Sequence, residues 1–294
     1  PVPKSAVVEF VSEVRDYVVG RGANGTSPTF FEVLTALALW HFGREDVDVA
    51  VLEVGIGGRL DATSAIEPAA SAVTSVSLEH TSILGDTEAE IARDKAHVAP
   101  ADRPLVTGAT GEALAAIRDA VDDTIVVGED EACDVTVSAG TPTDRLEMPV
   151  TIDGTDGRID AAIPLLGAHQ ARNAGVAVTL ARQVADVAED EVVRGLRSAH
   201  WPGRFEVVGR EPLVVLDGAH NPDACVALAG TLDEIDVNGR YDDLHLVFGA
   251  MHDKDHAAMA AALPEADRVV VCEPDVDRAE DRDVIAAVFE RRGA

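Results

Sequence analysis

Apolar positions 7, 8, 11, 14 and 18 recur at the three-to-four spacing of one helix face and predict a helix over 5–19. A loop over 20–28 precedes PTFFEVLTALALWHF, a strongly apolar helix suited to packing on a sheet. Residues 49–54 form a short β-branched run, the pattern of a strand covered on both faces in a parallel sheet. Just past it stand Gly55, Gly57 and Gly58, which let backbone turn sharply and approach a ligand. A second apolar run, 72–78, ends at Glu79-His80, and a helix is predicted over 88–97. Further on come a strand at 105–108, a helix at 112–119 and a strand at 124–127. Residues 134–166 change character, to short alternating segments between turn residues, and read as antiparallel strands at a sheet edge. From about His169 a helix begins after Gly167. Beyond Trp201 the pattern alternates strand and helix, a smaller α/β unit with a parallel sheet.

The expected fold is therefore α/β. The division is a central domain over 1–200, a hinge at 201–205 around Pro202-Gly203, and a second domain over 206–294.

Chemistry collects where these elements end. Glu53, His80 and Lys95 fall just past three consecutive elements of one α/β layer, where strand ends converge on a ligand crevice. Glu and His both ligate divalent ions. Singly each has a plainer reading: a solvated strand end, a hydrogen-bonded loop imidazole, a surface amine. His169, Gln170 and Asn173 share the first turn of one helix, suited to a nucleotide or to capping that helix. Arg204 follows the hinge dipeptide, where its fork suits phosphate, and a linker ion pair is the plainer alternative. Asp217 and His220 close a strand, and Asn221 caps the next helix.

Charge narrows the partners. Acidic residues number 53 against 24 basic, a net of −29, which argues against a nucleic-acid groove. Only Lys4, Lys95 and Lys254 are lysine, and the acidic, lysine-poor surface fits high salt, where self-repulsion is screened. No apolar run reaches the length of a membrane span and no signal peptide opens the chain, so a cytoplasmic protein without membrane partners is expected. Cys133, Cys225 and Cys272 show no metal spacing. GANGTS lacks the GK[ST] ending of a phosphate loop, and GIGGRLDAT fits a dinucleotide fingerprint poorly.

EVGIGGRLDAT, LEHTSILGDT, DKAHVAP, the GAHQARNA segment, PGR and DGAHNP, in that order, resemble the folylpolyglutamate synthase/dihydrofolate synthase family of the Mur ligase superfamily. FGAMHDKDH resembles the family's GxxxDKD turn. Ser64, Glu79 and His97 depart from its usual Asn, Asp and Gly. The resemblance implies a Mur-type central ATPase domain, then a Rossmann-like C-terminal domain. It implies ATP as substrate, with glutamate joined to a pteroate or folate carboxylate through an acyl phosphate. Glu53 and His80 would hold Mg²⁺ with Lys95 as a carbamate. Asn173, Arg204 and Asp217 would contact ATP. His80, Lys95 and His220 would serve catalysis, in a monomer. The family's P-loop is expected upstream of Pro1, so this chain alone is expected to be weak or inactive. A Mur-type ligase with another acceptor, or a non-catalytic remnant, are the alternatives.

Overall fold

A computed structural model describes residues 1–236, 239 and 241–292. The chain divides into two compact units, Pro1–Leu105 with Thr110–Thr124, and Val106–Ala109 with Ile125–Ala294.

In the first unit, α1 spans Lys4–Ala23 and α2 spans Phe30–Glu45. Thr29 caps α2 by accepting from Glu32 N, while the Glu32 carboxylate accepts from Thr29 N at 2.6 Å, a capping box. Phe10 of α1 meets Trp40 of α2 edge-on with ring centroids 5.6 Å apart. Trp40 Nε1 donates to Glu13 Oε2 at 3.1 Å, and the Arg44 guanidinium lies 4.6 Å from the Trp40 ring centroid. After β1 (Ser71–Val73) come a short α3 (Thr81–Leu84), α4 (Glu88–Ala96), β2 (Leu105–Thr107) and α5 (Gly111–Ala120). A second capping box, Thr87 with Glu90, starts α4. Ile91 of α4 and Ile117 of α5 are fully buried where these helices pack.

The strand expected at 49–54 is not formed. Residues 49–54 lie outside any strand, with Val49 61% and Val51 85% exposed. A β-branched run declares a segment that suits a ladder, but a strand exists only where a neighbouring strand supplies its hydrogen bonds, and no described strand pairs with this run. The second run contracts likewise to the three residues of β1, so His80 stands well past its strand.

The second unit carries β3 (Thr124–Gly128) beside β4 (Val135–Ala139) in parallel, then β5 (Met148–Gly154) and β6 (Gly157–Ile163), both antiparallel to their predecessors. The expected meander is thus present from β4 to β6. Helix α6 (Ala168–Val184) packs on β4. The approach is close: a Cβ on Gly175 would lie 2.8 Å from Val127 Cγ1 and closer still to Val137 Cγ2, so only glycine fits there. Then follow α7 (Glu189–Arg197), β7 (Glu206–Arg210), β8 (Leu213–Leu216), α8 (Pro222–Asp236), β9 (His245–Phe248), α9 (His256–Ala262), β10 (Arg268–Val271) and α10 (Arg282–Glu290). Strands β9 and β10 pair in parallel, as the alternation predicts. Strand β8, expected to join them, instead pairs antiparallel with β7. Only two residues separate β7 from β8, and so short a link favours a hairpin. Phe248 and Phe289 stack edge-on at 5.2 Å over Met259 and Ile285, which are almost fully buried.

Candidate active site

The glycine loop is held from two sides by carboxylates. Asp61 Oδ2 accepts from Gly55 N at 3.0 Å and Ile56 N at 3.1 Å, while its Oδ1 accepts from Thr63 N at 2.9 Å and Thr63 Oγ1 at 2.7 Å. Desolvation pushes the Asp61 carboxyl up, but these four donors outweigh it and hold its pKa below the usual value. On the other side Asp94 of α4 accepts from Gly58 N through Oδ1 at 3.0 Å, and its Oδ2 faces Arg59 Nε at 3.5 Å. Gly57 has φ +73°, and a Cβ on it would run into Asp94 Oδ1 and stand 2.7 Å from Leu84 Cδ2. A Cβ on Gly58 would come within 2.7 Å of Lys95 O and 2.8 Å of Asp94 O. The glycines therefore let the loop lie directly on the last turn of α4.

Both carboxylates lie inside quoted motifs, Asp61 in EVGIGGRLDAT and Asp94 in DKAHVAP, but neither is among the expected site residues. The further signal for Asp61 is local, an Asp two residues before Thr63 in a turn where Asx side chains bond their own backbone. For Asp94 the pattern does not show its partner, which lies 36 residues away.

A folded pKa below the unfolded one means that Asp61 adds stability above the ordinary carboxylate range and loses it as pH falls through the folded value. We expect Asp61→Asn to cost about 1–3 kcal/mol at pH 7, and the gap from the parent to close on acidification below about pH 4. Chemical denaturation at the two pH values measures this; an equal gap at both would show that the charge contributes nothing.

Glu53 and His80 are exposed and Lys95 is half-buried. Among the described residues their side chains make no hydrogen bond or ion pair, in contrast to the committed Asp61 and Asp94. His80 takes the left-handed conformation, φ 52°, at the start of α3. No three His, Cys, Asp or Glu side chains among the described residues are grouped to hold a metal. Glu53 and His80 nevertheless offer an oxygen and a nitrogen donor free of other bonds. An ammonium cannot ligate a cation, so Lys95 completes a donor set only if its amine is carboxylated. In that form the three residues would supply oxygen and nitrogen donors of the kind a divalent ion takes.

In the second unit, Asp217 ties the turn at 203–205 to the end of β8. Its Oδ2 accepts from Phe205 N and its Oδ1 from Ala219 N, each at 2.8 Å, while Gly218 N donates to Gly203 O at 2.7 Å. The first bond holds Phe205, itself at φ 43°, right after Arg204. Arg204 is exposed, and its guanidinium passes 3.6 Å from the place of a Gly218 Cβ. His220 Nδ1 lies 2.9 Å from Gly218 O. A carbonyl only accepts, so Nδ1 is the donor in this bond, and in the neutral tautomer Nε2 is the ring's acceptor. Asn221 Oδ1 caps α8 by accepting from Ala224 N at 2.7 Å.

His169 belongs to the same neighbourhood. The protein around its ring lowers its pKa most, Asp217 opposes this, and Arg172 and Arg204 add to it. Asn173 Nδ2 donates to Gln170 Oε1 at 3.2 Å, and no side chain caps α6, so these amides form an exposed pair and not a helix cap. A groove of about 510 Å³ lined by Glu129, Arg172 and Glu234 includes none of the predicted site residues.

Comparison with known proteins gives the chain's family. The Mur ligase middle domain matches residues 7–181, and the Mur ligase glutamate ligase domain matches residues 203–294. A solved apo form of Lacticaseibacillus casei folylpolyglutamate synthase (FPGS) superposes with a TM-score of 0.80 at 32% identity, over 99% of this chain and 72% of that one. This chain belongs to the FPGS branch of the Mur ligase family. The Mycobacterium tuberculosis FPGS complexed with ADP and AMPPCP gives a TM-score of 0.87 at 30% identity, over 99% of this Mur ligase chain and 68% of that structure. A "probable bifunctional folylpolyglutamate synthase/dihydropteroate synthase" from Haloferax volcanii is 60% identical over 99% of the chain, and one from Halobacterium salinarum is 62% identical over the same share. The chain spans 35% of the length of each. These two relatives agree with the high-salt reading of the surface. No described helix of this Mur ligase chain is long and apolar enough to cross a membrane.

Proposed function

We propose that the full-length protein is an ATP-dependent ligase that adds L-glutamate to a pteroate or folate carboxylate. The observation that carries the reading is that Glu53 and Lys95 stand uncommitted at a glycine loop fixed by other carboxylates, with His80 also free of side-chain bonds among the described residues, in a chain whose relatives are named for this reaction. The acceptor carboxylate attacks the terminal phosphorus of ATP and ADP leaves, giving an acyl phosphate. The amine of glutamate then attacks the acyl carbon, phosphate departs, and the amine loses a proton.

Glu53, His80 and carboxylated Lys95 would hold Mg²⁺, which when bound neutralises charge on the transferring phosphoryl group. The Arg204 guanidinium binds phosphate oxygens from the hinge. Asn173 contacts ATP, and Asp217, while fixing the backbone at Phe205 and Ala219, faces the ribose. His220 Nε2, unprotonated, accepts the proton of the attacking amine. The working division is a central domain over 1–200, a hinge at 201–205 and a glutamate-binding domain over 206–294, in a cytoplasmic monomer acting on small molecules.

Purified full-length protein in high salt, given ATP, Mg²⁺ and either dihydropteroate or folate, should release ADP only when glutamate is present. Absence of glutamate-dependent ADP with every pteroate and folate acceptor, from a protein that still binds ATP, sinks the reading.

A further inference from the structure

Three consecutive loop residues converge on one carboxylate. Gly57 packs against Asp94 Oδ1, Gly58 N donates to that oxygen at 3.0 Å, and Arg59 Nε faces Oδ2 at 3.5 Å. The Asp94 side chain is only 17% exposed. It also sits in the last turn of α4, where the helix dipole disfavours an acid. A residue kept where its own helix disfavours it is working for another element, and the element it touches is the loop.

We infer that Asp94 is a positioning residue: it sets the place of the Glu53 segment relative to Lys95. Glu53 precedes Gly55 by two residues, and the loop from Gly55 to Gly58 is fixed at one end by Asp61 and at the other by Asp94. Lys95 follows Asp94 on the helix, so the bond that seats the loop fixes the two uncommitted side chains in one frame. Gly58 N needs an acceptor at this point, which amide oxygen supplies as well as carboxylate. The Arg59 contact is exposed and adds little.

The inference rests on the proposed metal role of Glu53 and Lys95, and the test separates the two. Mn²⁺ is titrated into the full-length protein in high salt and followed by its electron paramagnetic resonance signal, for the parent, E53Q, D94A and D94N. Parent binding that E53Q loses upholds the metal role; equal binding by both overturns that role and this inference with it. Given upheld metal binding, D94A should weaken Mn²⁺ by about 10–100-fold, the usual effect of removing a group that orients a ligand, whereas D94N, which keeps the acceptor, should stay within about threefold of the parent. Circular dichroism confirms the fold at the titration temperature. D94A binding Mn²⁺ like the parent, or D94N losing as much as D94A, overturns the inference. If D94A does not fold, D94E replaces it: its extra methylene pushes into Gly57, and the same loss is expected, parental affinity counting against the idea.

Discussion

Replacing Glu53 by glutamine in the full-length protein is expected to slow glutamate-dependent ADP release by about 100-fold or more while leaving stability within about 0.5 kcal/mol of the parent. Both halves follow from the same observation. The Glu53 side chain is exposed and holds no partner among the described residues, so the fold loses nothing when its charge goes. In the proposed role it would help to hold a cation whose neutralisation of phosphoryl charge is worth several kcal/mol in the transition state, and each 1.36 kcal/mol is about tenfold in rate. Steady-state rates across a Mg²⁺ series, with thermal melts alongside, decide the matter. Turnover near the parental value at saturating Mg²⁺ removes Glu53 from the ligand set. Asp61 shows the opposite profile, since its carboxylate is spent on backbone and hydroxyl donors.

Gly58→Ala is expected to cost about 1–3 kcal/mol of stability, the range for overpacking a close contact, and to impair activity together with it. The added methyl would meet Lys95 O at 2.7 Å and Asp94 O at 2.8 Å. Both are backbone atoms already accepting bonds that close the last turn of α4, from Val98 N at 3.2 Å and His97 N at 3.2 Å. They cannot swing aside as a side-chain end can, so the loop must lift from the helix. Gly195 in α7 makes the control. A Cβ there meets nothing within 4 Å, so Gly195→Ala should stabilise by about 0.5–1 kcal/mol through helix propensity. Denaturant midpoints for the two variants should move in opposite directions. A neutral Gly58→Ala would mean that loop and helix are not in register-fixing contact.

Much of this architecture was legible because it is local. The periodic face at 7, 8, 11, 14 and 18 marks α1, and Thr29 with Glu32 and Thr87 with Glu90 sign the starts of α2 and α4 in the residues themselves. Gly167 before α6 and Asn221 before α8 are equally local. What could not be read depends on partners distant along the chain. The run at 49–54 carries strand composition without a ladder among the described residues, and β8 looks like β9 and β10 in composition yet pairs with β7. The site divides the same way. Glu53, His80, Lys95 and the DGAHNP residues are marked by residue type and order, whereas Asp94, though it opens DKAHVAP, shows its role only when the loop is seated on the helix, because its partner Gly58 lies 36 positions off.

The chain holds two tryptophans, and they stand in contrasting surroundings. Trp40 is half-buried, edge-on to Phe10 and bonded to Glu13. Trp201 is 59% exposed and opens the turn that leads through Gly203 to Arg204. Indole emission shifts to the blue as water leaves the ring. In this chain Trp40→Phe would therefore leave a single indole, between the two matched Mur ligase domains, and the nucleotide contact proposed for Arg204 would be followed in real time by the colour of Trp201 under selective indole excitation, without a label or a coupled assay.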